Sequence, residues 1–286
     1  MLHSDVGPGG LALFRIVVFG LWALSIVHSP SLVLAADAPR ELFDPPGVLG
    51  LLPGAFWDAL FEPVRLRILE VGLLVLFVAA AVGARPWWLI GPLAFAGALM
   101  LDGLHKGFGG FVNHAQMALV YSALFLAIAP AAVRRWPATK DDAEQGHGAG
   151  LYRFPLIATA VVFAAAYSLI GLYRVFEGGW TIFAGDALAT YMGLRTFEVA
   201  VTGFDWSLLL IGSPLLLWGA KAGFLVTTVF EILSPLCLAH DGFRRAWLVV
   251  MVGFHLTTLV TMNIFFWENL VLLAVVFTRL PSQLPS

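Results

Sequence analysis

Residues 154–173 read FPLIATAVVFAAAYSLIGLY, twenty consecutive positions without a charged side chain. As an α-helix this stretch is about 30 Å long, which matches the hydrocarbon core of a bilayer. A helix on the surface of a soluble domain would carry charged residues along one face. None occurs here, so the segment predicts a membrane span, with Arg174 closing it.

The rest of the 286-residue chain agrees. Hydrophobic residues make up 60%, charged residues only 12%, and mean hydropathy is +0.89. Soluble domains carry about 25% charged residues, and disorder requires low hydrophobicity with high net charge. Both classes are excluded. The fold class expected is all-α, a polytopic transmembrane helical bundle of about six to eight spans with interfacial or re-entrant segments. A net charge of −2 gives no concentrated basic surface for nucleic acid. The single cysteine, Cys237, cannot form an internal disulfide and reads as a buried inert thiol.

Working outward, helix 1 is expected over residues 11–27, extended by 32–36. Arg15 and Ala36-Asp37-Ala38 superficially resemble a leader with its cleavage site. No Lys or Arg precedes Arg15, however, and the run is read as a retained helix. Residues 37–62 contain Pro39, Pro45, Pro46 and Pro53, too many for a continuous span, yet they are too apolar for a free loop. A segment lying in the headgroup region is expected. Helices follow at 66–82 and 86–101, then a glycine-rich hinge at 102–114, a helix at 115–133 and a solvated loop at 134–145. After the decisive span, residues 175–206 read as irregular. The 32 residues 207–238 exceed one crossing, and a break near Gly219 is expected. Residues 247–277 are expected to form two helices that part near 263–269. One membrane domain, residues 1–286, is expected, and no internal repeat suggests a transporter. The short connections carrying Arg85, Arg134, Arg135, Lys140, Arg153, Arg244 and Arg245 place the N-terminus inside.

An ionisable group at membrane depth is costly, about 2.5–3.5 kcal/mol on the insertion scale, so each is a functional candidate. Arg15 is expected to snorkel to the headgroups, and Glu268 to favour the N-terminal end of a helix. Lys221 and Glu231 are ten residues apart, about 15 Å along a helix, and need partners elsewhere. A Glu231–Arg174 ion pair would meet that need for structural or functional ends alike. His255 is either a hydrogen-bonded core histidine or a functional one. His114, beside Asn113, is either a helix-start residue at the surface or part of a cavity. The histidines lack metal-pair spacing, His105 and His114 being nine apart, and no metal site is expected.

Several short motifs occur in a telling order: Leu13-Phe14-Arg15-Ile16, Asn113-His114, Tyr167-x-x-x-Gly171-x-x-Arg174 with Trp180, Phe230-Glu231-Ile232-Leu233-Ser234-Pro235, and Phe254-His255-Leu256. Over residues 10–277 the chain resembles HTTM-domain membrane proteins, the family that contains the transmembrane part of vitamin K-dependent γ-glutamyl carboxylase. The resemblance implies a helical bundle that holds a reduced quinone. In the carboxylase a lysine of the Tyr-x-x-x-Gly-x-x-Lys motif deprotonates the hydroquinone, and oxygenation yields the strong base that starts carboxylation. Histidines matching His114 and His255 surround that quinone. Here the lysine position is Arg174, whose guanidinium stays protonated and can hold an oxyanion but cannot act as a base. Lys221, after a Gly-Ala pair, does not match the motif. The family's large extramembrane substrate domain has no counterpart in the sequence.

The resulting expectation is a quinone- or lipid-sized cavity on the non-cytoplasmic side of a cell membrane, such as a bacterial inner membrane. Its catalytic set would be His114, Arg174 and His255, with Asn113, Tyr167, Trp180, Lys221 and Glu231 binding substrate. Redox or carboxylase-like modification is one function class. An accessory protein that binds a lipid, a peptide or a soluble partner during maturation or export is the other.

Overall fold

The computed structural model describes residues 8–108, 116–129, 149–195, 206–262 and 266–279, all helical or in short connections, with no strand among them. Five helices are long and apolar enough to cross a membrane: Gly10–His28, Trp87–Lys106, Arg153–Gly178, Pro214–Ile232 and Asp241–Thr261. The chain is an all-helical, multi-pass membrane protein. Its contacts divide it into two compact units, Met1–Thr159 and Ala160–Ser286, where the sequence reads as one continuous membrane domain.

Unit 1 is built on α1 (Pro8–His28), α2 (Gly54–Leu60), α3 (Pro63–Val82), α4 (Trp87–Lys106) and α5 (Met117–Ile128). Helix α1 packs along α3, and α4 packs between α3 and α5. Phe14, Trp22, Phe77, Leu101, Leu119 and Leu126 are completely or almost completely buried at these contacts. Small residues let the backbones close up, as is usual between membrane helices. A Cβ on Gly97, for instance, would lie 2.6 Å from Leu73 Cδ2.

Helix 1 does not extend through 32–36. It ends at His28, and a 3-10 turn, Leu32–Asp37, follows with the Ser31 hydroxyl accepting from the Val33 amide. Pro30 removes the backbone donor a continuing helix would need. The proline-rich segment after it is a series of short turns and α2, which fold onto the end of α4. Phe43 packs edge-on against Trp57 and Phe61 and tilted against Phe108, and Leu49 fills the space above Gly103. The expected hinge at 102–114 is therefore partly helix: α4 continues to Lys106, held by a 2.7 Å ion pair from Lys106 to Asp102 one turn back. The expected helix at 115–133 is shorter, Met117–Ile128, and 130–133 lie outside the described residues.

The division between the units falls within α6 (Ala149–Gly178), longer at both ends than the uncharged stretch that predicted it. Unit 2 continues with α7 (Thr181–Ala184), α8 (Ala187–Arg195), α9 (Trp206–Gly212), α10 (Pro214–Ile232), α11 (Leu236–Ala239), α12 (Asp241–Met262) and α13 (Trp267–Arg279). The span expected to break at Gly219 breaks instead at Ser213, between α9 and α10. Pro214 explains the position, since proline opens a helix at its first turn without losing a hydrogen bond. Gly219 and Gly223 remain inside α10, in open space. Helices α12 and α13 part close to the expected place.

Candidate functional site

Among the described residues of unit 1, Arg15 and Glu70 are held by local partners. Arg15 is buried. Its Nε donates to the Ala81 carbonyl at 3.3 Å, near the end of α3, where unpaired carbonyls favour a cation. The guanidinium lies against Gly83, whose φ of +73° closes α3, and faces the Trp87 ring at 5.7 Å. Glu70 accepts from Ser31 and Arg67, each at 2.9 Å. Arg15 and Glu70 are thus held by different groups.

Unit 2 is arranged differently. Tyr167, Gly171 and Arg174 are spaced four and three residues apart, which puts them on one face of α6. Ala164 and Ser168 share that face. Opposite it runs the segment 231–234, and the two are joined rung by rung. The Ser234 hydroxyl donates to the Ala164 carbonyl at 2.6 Å, and the Ser168 hydroxyl donates to the Ile232 carbonyl at 3.0 Å. Gly171 sits directly against Ile232: a Cβ there would lie 2.9 Å from the Ile232 nitrogen. At the last rung Arg174 Nη1 donates to the Glu231 carboxylate. The motif centred on Gly171 and the motif Phe230–Pro235 are thus two sides of one interface.

Glu231 is 1% exposed, whereas the Arg174 side chain keeps 21% of its surface. The Phe224 ring lies 4.9 Å and the Phe254 ring 5.7 Å from the guanidinium carbon. The buried carboxylate fixes the cation, the aromatic rings flank it, and part of the Arg174 side chain stays accessible.

Two turns earlier on the same face, Tyr167 reaches α12. Its Oη lies 2.6 Å from His255 Nε2, and both residues are buried. Trp247 packs edge-on against the Tyr167 ring at 5.5 Å, Phe163 stacks on it, and Phe266 stands edge-on to His255 at 5.7 Å. A neutral phenol–imidazole pair in such an apolar shell can hold and pass a proton.

The sequence-predicted residues therefore separate into three groups. Tyr167, Arg174, Glu231 and His255 come together on the α6 face and its partners. Trp180 does not enter; its ring is exposed and packs on Phe183, which touches Phe224 beneath Arg174. Lys221 is buried two turns before Thr228 on α10, with its ammonium 5.3 Å from the Trp218 ring. Asn113 and His114 lie outside the described residues.

Sequence reading gave Ser168 and Trp247 no part, since they look like ordinary members of apolar helices, and Ser234 entered only as a member of the motif 230–235. Glu268 stands, as expected, in the first turn of α13. Among the described residues no three His, Cys, Asp or Glu side chains gather as a metal centre would require. The chain matches no family model, no curated protein and no solved structure.

Proposed function

We propose that this is a multi-pass protein of a cell membrane, such as a bacterial inner membrane, that binds a quinone- or lipid-sized ligand in unit 2. It carries out or assists redox or carboxylase-like modification there. The N-terminus lies inside. Six to eight spans result if Pro63–Val82, Met117–Ile128 and Trp267–Arg279 cross in addition to the five long helices.

The supporting observation is that α6 carries an anion-holding group and a proton-handling pair on one face. Arg174–Glu231 and Tyr167–His255 stand seven residues apart on α6, about 10 Å. The donor set suits a reduced quinone: a guanidinium for an oxyanion, and an imidazole whose Nδ1 has no partner among the described residues. When bound, such a cofactor supplies reducing electrons and acidic hydroxyl protons. Arg174 holds a developing negative charge and accepts no proton. His255 exchanges protons, and the Tyr167 hydroxyl keeps its ring oriented. Glu231 fixes Arg174. Lys221 is assigned to the substrate side in unit 2, and Trp180 stands outside this site; His114 and Asn113 are proposed, within their own unit, for a separate proton-handling and substrate-binding role. Glutamate carboxylation itself is not assigned, because no lysine stands at the position of Arg174.

Two measurements test this. Mass spectrometry of extracts from the purified protein should find a quinone or polar lipid at near-stoichiometric amount. Quinol-dependent turnover, alone or with a soluble partner protein, should fall at least about a hundredfold in His255→Ala. Full activity in both His114→Ala and His255→Ala removes the proton-handling role.

A further inference from the structure

Helix α3 carries six β-branched residues, and all six stand on its outward side: Val64, Ile68, Val71, Val75, Val78 and Val82. Their spacing is four, three, four, three, four, the a and d positions of a heptad repeat. Each is exposed, from 50% at Val78 to 71% at Val82. The buried positions of the helix, Leu66, Glu70, Leu73, Phe77 and Ala80, form its opposite face, and the helix packs on α1 and α4.

That an outward face has this period follows from the helix. Its composition does not. All five leucines of α3 stand off the seam, and lipid tails give no reason to separate leucine from valine. The outward faces of α10 and α12 mix the types, with Leu215, Trp218 and Val226 on one and Val249 and Leu256 on the other. β-Branched side chains are stiff at χ1 in a helix, so they lose little freedom on packing and suit a helix–helix seam. A second feature sits beside them. Gly72 is exposed in the middle of α3, and a Cβ on it would meet nothing within 4 Å. No contact within the chain requires glycine there, although glycine weakens a helix interior. Close approach of a helix from outside does require a small residue.

We propose that α3 packs along α3 of a second copy of the chain, the Val and Ile layers meeting across a two-fold axis along the membrane normal. Copies in one membrane share a topology, so their α3 helices run parallel, and the axis sets each layer against itself. The area suffices. Side chains so exposed leave about 600 Å² uncovered per copy, or about 1,200 Å² for the pair, where specific interfaces begin. The charges also permit it. Arg65 and Arg67 flank the start of the seam, but each is paired within its own chain, with Glu62 at 3.1 Å and Glu70 at 2.9 Å. The inference takes Pro63–Val82 as one of the crossings proposed above.

In the full chain carrying Cys237→Ala, single cysteines are placed along α3 and oxidised in native membranes. Disulfide-linked dimer should peak at Ile68→Cys, Val71→Cys, Val75→Cys and Val78→Cys. It should be at least about fivefold lower at Leu69→Cys and Leu76→Cys, and at Val226→Cys on the outward face of α10. Energy transfer between labelled copies in vesicles of increasing lipid content then gives the association constant. Gly72→Leu should weaken it at least about tenfold, and Gly219→Leu, in open space on α10, should leave it within about twofold. A flat yield along α3, or seam yields no higher than at Val226→Cys, overturns the proposal, as does unchanged association in Gly72→Leu. A charged, water-soluble maleimide added to intact membranes separates the causes of such a failure. If Val71→Cys and Val75→Cys are shielded from it, α3 is a crossing that does not pair. Rapid labelling of both defeats the crossing and the pairing together.

Discussion

Gly171 and Ile232 meet backbone to backbone, with the position of an added Gly171 Cβ only 2.9 Å from the Ile232 nitrogen. This approach brings α6 near enough to the end of α10 for Arg174 to reach Glu231. It also allows two serine hydroxyls to find carbonyls across the interface. Gly171 is therefore a spacing residue for the whole candidate site.

Gly171→Ala should destabilise the protein by about 1–3 kcal/mol, because the new methyl meets backbone that cannot rotate away. Gly219→Ala and Gly223→Ala, in open space on α10, are the controls. They should be neutral or stabilising by up to about 1 kcal/mol through helix propensity. Thermal unfolding in one lipid system compares the three. Equal behaviour would deny the close approach.

Glu231→Ala should cost about 3–5 kcal/mol, since it leaves Arg174 without its carboxylate in apolar surroundings. Arg174→Met combined with Glu231→Leu should recover most of that loss. A double-mutant cycle reads the coupling, and additive single effects would show that the two side chains do not act as a pair.

Tyr167→Phe removes the hydroxyl hydrogen-bonded to His255 Nε2 and should lower stability by about 1–2 kcal/mol. Turnover, where present, should fall with it because the imidazole loses its orientation. Unchanged stability together with unchanged turnover would remove Tyr167 from the site.

Cys237 is buried in the short helix α11, and burial pushes its thiol up to about 12 despite the opposing influence of Arg244. Below pH 9 almost no thiolate exists to react. Maleimide labelling of the native protein at pH 8 should therefore be slower than in denaturant by at least about a hundredfold. Because the folded thiol keeps its proton longer than the unfolded one, its contribution to stability is complete below about pH 8.5 and declines as pH rises toward 12. Rapid native labelling would show the segment to be open.

Gly83→Ala tests unit 1. The residue has φ of +73°, and a Cβ would lie 2.6 Å from the Arg15 guanidinium carbon. Strain and displacement of Arg15 act together, so a loss of at least about 1 kcal/mol is expected by thermal unfolding. A neutral substitution would mean that Arg15 does not depend on this end of α3.

The helical, membrane-spanning nature of the chain was legible because hydrophobicity is a local property. Twenty uncharged residues at 154–173 demand a span whatever surrounds them. The parting of α12 from α13 and the first-turn place of Glu268 were legible for similar local reasons. Other boundaries were not. Gly219 read as a break although Pro214 set it, and 102–106 read as a hinge although the Lys106–Asp102 pair and the Phe43 cluster keep it helical.

For the site, the sequence showed which ionisable groups stand within or at the end of apolar runs: Arg15, Arg174, Lys221, Glu231 and His255. It also fixed Tyr167, Gly171 and Arg174 on one helix face, since a period of 3.6 needs no tertiary information. Their partners were decided only by the tertiary structure. Arg15 finds a helix end, while Arg174 and Tyr167 meet Glu231 and His255 across close-packed helices. The reason is physical. The cost of burying a charge is set by the residue itself, but the group that offsets it comes from a distant part of the chain, brought near by packing that no local pattern encodes.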